Sequence, residues 1–215
     1  MRPRSLCLLA LALTGCPNPQ TYSPPRTLAK GQSSHAFAVE AFELRSSSDE
    51  ERIGGPTYVF RHGISDEIDV GIRAVDMSSL GFDFKYNFLR SDVDLAIDPG
   101  LQFAFLSLND ADPTYLVLDL PLLVGINAAP EATIVLGGGA AMISGDALDE
   151  GVTRDISEEM FFARGTVGLD LRFTQRFAVH PSVTLYHGLE TGEVGAVVAG
   201  FAFRFGGPAY EGLSF

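Results

Sequence analysis

Residues 81–88, GFDFKYNF, set Phe82, Phe84, Tyr86 and Phe88 against Asp83, Lys85 and Asn87 in strict alternation. A period of two puts the aromatics on one side of an extended chain and the polar groups on the other, which makes the stretch a strand. The alternation returns in LVLDLPLLVGI at 116–126, GTVGLDLRF at 165–173 and GFAFRF at 200–205. No comparable stretch of helical period follows the first sixteen residues. The chain is therefore read as all-β.

Turn-forming residues divide it into ten strands, near 34–45, 57–64, 68–76, 80–89, 93–107, 114–127, 132–144, 160–173, 177–187 and 194–205. The connectors at 65–67, 90–92, 128–131 and 174–176 are short. Those at 46–56, 109–113, 145–159 and 188–193 are mostly longer, with the tight Met77-Ser78-Ser79 turn as the exception. An even strand count with short turns at one end and long loops at the other predicts a closed antiparallel up-and-down barrel, eight strands being the smaller alternative. The first strand loses its alternation at Phe42-Glu43, which predicts a bulge.

The two faces decide what surrounds the barrel. A soluble barrel turns its apolar side chains inward, whereas a transmembrane barrel carries them outside around a polar interior. One face here is nearly unbroken Phe, Leu, Val, Ile and Tyr; the other mixes Gly, Ala and Thr with charges. The transmembrane pattern assigns Glu40, Asp69, Asp83, Asp94, Asp98, Asp119 and Asp170 to the lumen, with Arg61, Arg73, Lys85, Arg164, Arg172 and Arg204. Seven acids facing six bases predict ion pairs across the interior. Eight strands enclose little more than their own side chains and a wide channel needs about sixteen, so a ten-stranded lumen crossed by paired charges is expected to be narrow or plugged.

The beginning of the chain is different. Arg2 and Arg4 precede an apolar run from Leu6 to Leu13, too short to span a bilayer and laid out like a secretory signal peptide, assigned to residues 1–15. Leu13-Thr14-Gly15-Cys16 resembles the lipobox of bacterial lipoproteins. The resemblance implies a diacylglyceryl thioether and an acylated amine on Cys16, enough acyl chains for a stable anchor. Cys7 would leave with the leader, so the mature chain would hold neither a free thiol nor a disulfide. After Cys16, PNPQTYSPPRTLAKGQ holds four of the twelve prolines without periodicity. Residues 16–32 therefore read as a lipidated cysteine and an extended tether that keeps the anchor apart from the fold.

Gly200-x-x-Phe203-x-Phe205 resembles the assembly signal that closes outer-membrane barrels, although residues 206–215 follow it as a short tail. From residue 33 onward the chain resembles small OmpA-like outer-membrane β-barrels, with the barrel itself at 33–205. That resemblance implies a Gram-negative outer membrane and both termini on the periplasmic side. It also implies membrane lipid and the outer-membrane assembly machinery as partners, and no cofactor.

Charge and motifs narrow the remaining functions. The chain has 15 basic and 27 acidic residues, a balance opposed to nucleic acid and to a polybasic lipid-binding face. It lacks a Gly-x-Ser-x-Gly elbow, a His-Glu-x-x-His helix and a Walker loop. The glycine run LGGGAA at 136–141 lies inside a strand, where it suits close packing better than phosphate. His187 and Glu190 lie near one long loop without the partners that catalysis needs. The acidic stretch 145–159 lacks EF-hand spacing and reads as solvated, with no metal site assigned. Two function classes stand: a structural or surface-interacting membrane barrel, and a lipid-anchored periplasmic barrel binding a small apolar ligand.

Overall fold

The computed structural model describes residues 22–45, 50–75, 79–104, 114–146, 157–189 and 194–208. The strands are β1 (Ser33–Arg45), β2 (Glu50–Gly63), β3 (Ile68–Val75), β4 (Ser79–Leu89), β5 (Val93–Ile97), β6 (Gly100–Ala104), β7 (Thr114–Ala129), β8 (Ala132–Asp146), β9 (Ser157–Thr174), β10 (Phe177–Gly188) and β11 (Val194–Phe205). Each pairs antiparallel with its neighbours, and β1 pairs with β11, so the sheet closes on itself. β5 and β6 form one stave of the wall, because the register carries across the gap between them. Ile97 faces Tyr86 and Leu122, while Gly100 faces Asp83 and Asp119. The barrel thus has ten staves.

The break within that stave has a local cause. Pro99 has no N–H to donate to a ladder. Its carbonyl still accepts from Phe84 N at 3.0 Å, and Asp98 N donates to Pro121 O at 3.2 Å, which ties the gap to both neighbours. The expected continuous strand over 93–107 is therefore two segments, with 105–107 outside the described residues.

Two further expectations need correction. β2 begins at Glu50 rather than 57, because Gly54, Gly55 and Pro56 pair with Ala41, Glu40 and Val39 of β1. Backbone pairing recruits these residues although their side chains show no alternation. Pro56 lies one residue beyond the β2–β3 ladder, where among the described residues β2 is paired on one side only. The expected bulge at Phe42-Glu43 is absent: Phe42 pairs with Ile53 and Val198, and Glu43 with Arg52 and Val197, without a shift. Register shifts occur instead at Asn87/Leu89, Asn127/Ala129, Phe177/Ala178 and Tyr186/His187.

The faces separate cleanly on β4. Phe82, Phe84, Tyr86 and Phe88 are 40–48% exposed, whereas Asp83, Lys85 and Asn87 are at most 6% exposed. An outward apolar row beside a buried charged row is the pattern of a barrel that spans a membrane. Towards the short-turn end the outside carries a group of touching rings. Phe177 lies 6.4 Å from Phe203 and 5.4 Å from Phe205, and Phe37 lies 5.1 Å from Tyr58. Such girdles mark the membrane interface in barrels of this type.

The segment before β1 is the largest departure from expectation. Residues 22–28 lie inside the barrel, with Tyr22 1%, Ser23 8%, Thr27 1% and Leu28 2% exposed. Tyr22 packs with Ala38 and Ala202 at mid-height of β1 and β11. The chain then descends past Lys85 to the short turns at 64–67 and 90–92 before entering β1. Gly31 N donates to Gly63 O at 2.8 Å and Gly63 N to Gln32 O at 2.9 Å, which fixes the final bend. These residues are a plug, not a tether held apart from the fold.

Candidate functional site in the lumen

Alternation along each strand sends every second side chain inward, and the charges follow it. Glu40, Arg61, Asp69, Arg73, Asp83, Lys85, Asp94, Asp98, Asp119, Arg164, Asp170, Arg172 and Arg204 are all buried. They form distinct groups rather than one column.

Arg61 of β2 is the centre of the first group. Its Nε donates to Asp69 Oδ1 at 2.8 Å, its Nη2 reaches Asp98 Oδ1 at 3.3 Å, and its Nη1 meets Asp83. One guanidinium thus serves three carboxylates from β3, β4 and the break after β5. Its five donors in a rigid fork suit it to that task. Arg164 of β9 holds Asp119 of β7, donates to Thr166 Oγ1 at 3.0 Å, and lies 5.9 Å from the centre of the Tyr186 ring. A third group lies nearer the short turns. Asp170 accepts from Arg172 at 2.7 Å and from Arg204 Nη2 at 3.0 Å, with Arg204 Nη1 in ion-pair contact at 2.8 Å and His180 Nδ1 at 3.4 Å.

The plug completes the network. Arg26 donates through Nε and Nη2 to the two oxygens of Asp94, at 3.0 and 2.9 Å. Asn127 Nδ2 also donates to Asp94, at 2.9 Å. Lys85 Nζ donates to Pro24 O at 2.9 Å and to Ser23 Oγ. Leu28 N donates to Asp69 Oδ2 at 3.0 Å, and Thr27 Oγ1 to Asp66 O at 2.6 Å. The two prolines donate nothing from their backbone, so this path leaves few groups to satisfy.

Sequence reasoning placed Arg26 in a tether and missed it. The available signal was the odd acid, since seven inward carboxylates against six bases leave one short and Arg26 makes the balance. Tyr22 had no such signal. Gly200, assigned to an assembly signal, points inward, and Tyr22 lies against it, whereas Phe203 and Phe205 point outward at 44% and 48% exposed. His187 lies exposed on the outer face, and Glu190 is outside the described residues, as are 147–156 of the acidic loop and Cys16. The alternative of a barrel with an apolar ligand cavity is overturned by the faces, because the interior carries the charges and the exterior the large apolar side chains.

A closed antiparallel barrel of ten staves, apolar outside and ion-paired within, has the architecture of the outer-membrane β-barrels. One solved structure shares the fold at a TM-score of 0.50, an outer membrane channel from Pseudomonas putida F1, at 9% identity over 87% of this chain and 98% of that one. Ail, the attachment invasion locus protein of Yersinia pestis, gives 0.44 at 12% identity, covering 82% and 99%. The outer membrane protein OprG from Pseudomonas aeruginosa gives 0.40 at 12%, covering 83% and 98%. The sequence matches no protein-family model and no curated protein.

Proposed function

We propose that this chain is a small outer-membrane barrel of a Gram-negative envelope, anchored additionally by lipid on Cys16, with a structural or surface-interacting role and a closed lumen. The observation that carries this reading is the plug: residues 22–28 occupy the lower half of a lumen already crossed by ion pairs. A general porin needs a continuous aqueous path, and barrels with one have about sixteen strands. The outward Phe and Leu band meets membrane lipid, and Gly200, Phe203 and Phe205 serve recognition by the outer-membrane assembly machinery. The short-turn end, where β1 starts and β11 finishes, faces the periplasm in this reading. Acylation of Cys16 would set a lipid anchor six residues before Tyr22, so anchor and plug restrain one short segment.

The test is electrical. Reconstituted in planar bilayers, the full chain gives no steady current, or only small, infrequent steps. A large and steady conductance would overturn the closed-lumen reading and put solute passage first.

A further inference from the structure

A cavity of about 530 Å³ opens at the short-turn rim, between the 174–176 turn, the start of β1 and the residues that follow β11. Arg172, Arg176 and Arg204 line it, and no carboxylate does among the described residues. In a chain with 27 acids against 15 bases, that wall is a local inversion of charge. Behind it, Asp170 is shared by Arg172 and Arg204. Exposed Arg176 adds a third positive charge at the mouth.

A second observation points to an occupant. Arg204 is 3% exposed, and its buried Nε–H has no hydrogen-bond partner among the described residues. That side of the guanidinium faces Gly207, where a Cβ would come within 3.2 Å of Nε and 3.4 Å of Nη2. Glycine leaves this approach clear. Gly206 adopts a φ of +77°, which glycine adopts without strain, and its N–H donates to Arg176 O at 2.7 Å. The chain after β11 is thereby bent around the cavity and tied to the turn that carries Arg176. A buried charged donor without a partner is costly, and an oxyanion in the cavity would satisfy it.

We propose that this cavity binds a phosphate-type oxyanion, held by Arg204 and Arg176 at the short-turn mouth. Guanidinium groups match such oxygens through paired N–H donors, and a site between two arginines favours phosphate over chloride. The phosphate could be free or the headgroup of a phospholipid, and the chemistry of recognition is the same.

The full chain in a phosphate-free glycoside detergent is titrated with sodium phosphate against sodium chloride at equal ionic strength, following the phosphorus resonance of phosphate. Saturable broadening at one site is expected with phosphate. Arg176→Glu, on an exposed turn, should weaken it about tenfold or more, as loss of a charged hydrogen bond does. Arg204→Lys keeps the charge but removes Nε–H, and should weaken it as well. Lys30→Ala, a cation outside the cavity wall, should leave it unchanged. Adding short-chain phosphatidylglycerol separates the sources: displacement of free phosphate assigns the site to a headgroup, and no displacement assigns it to the free anion. No saturable broadening, or equal affinity in the wild type, Arg176→Glu and Arg204→Lys, overturns the proposal.

Discussion

The Tyr22 ring lies on Gly200 so closely that a Cβ at position 200 would come within 2.7 Å of Tyr22 Cε1. Real side chains do not approach that far, so the smallest residue at 200 is a condition for seating the plug. Gly200→Val should lift Tyr22 from the wall at a cost of about 1–3 kcal/mol, the usual range for overpacking. Urea unfolding in vesicles measures it. Tyr22→Ala in the same chain should remove most of that cost, because the clash then has no second partner. Equal destabilisation with and without Tyr22 would show that the wall, and not the plug, resents the change.

Arg26 and Asp94 bring plug and wall together through a two-pronged ion pair. Asp94 is fully buried, so Arg26→Ala leaves a carboxylate with Asn127 as its remaining side-chain donor among the described residues. Breaking a buried pair from one side typically costs about 3–5 kcal/mol. Asp94→Asn in the Arg26→Ala background should recover much of the loss. Single and double variants that unfold at the same urea concentration as the wild type would mean that the plug contributes nothing to stability.

Why the wall was legible and the plug was not follows from the kind of order each has. Phe82 through Phe88 repeat every second residue because each strand separates lipid from lumen, and that division is written into consecutive residues. The inward charges could be assigned from the same alternation. Ser23-Pro24-Pro25-Arg26 has no period, since its partners are Lys85 and Asp94, far along the chain. Composition alone made it resemble a linker. The start of β2 was hidden for a related reason, because Gly54, Gly55 and Pro56 join the sheet through backbone pairing with β1. The pairing of Arg61 with three carboxylates is a property of barrel closure and register that alternation does not encode.

Phe84 and Lys85 test the two faces directly. Phe84 is 41% exposed on the outer row and Lys85 fully buried. Phe84→Arg places a charge on the lipid side, costing about 2–4 kcal/mol at the bilayer midplane. Folding yield into vesicles should fall, while Phe84→Leu should fold as the wild type does. Spin labels at 82, 84 and 88 should report lipid contact through oxygen accessibility. Water contact at those positions would invert the assignment of faces.

Lipid on Cys16 is tested by mass and labelling. A fatty-acid analogue supplied during growth should label the wild type and not Cys16→Ala, and the intact mass should fit a chain beginning at Cys16 with its acyl groups. A mature chain that begins elsewhere and carries no lipid would remove the anchor from the proposed function and leave the barrel unaffected.

Conduction depends on two barriers in series, and they can be removed separately. The lower lumen is filled by residues 22–28, whereas Arg164 and Asp119 pair across the wall between β9 and β7. Arg164→Ala should free a carboxylate and the volume of a long side chain but leave the plug seated, so currents in planar bilayers should rise only slightly. Replacing Tyr22, Pro24, Pro25 and Arg26 by glycine should loosen the plug while keeping Arg164, again with a modest rise. The combination should conduct more than the two effects added, because a path opens only where no barrier remains. The exposed carboxylates of Asp94 and Asp119 should make that path favour cations. Full conductance from Arg164→Ala alone would show that the plug does not close the lumen, and silence from the combined variant would place the constriction elsewhere in the ion-paired interior.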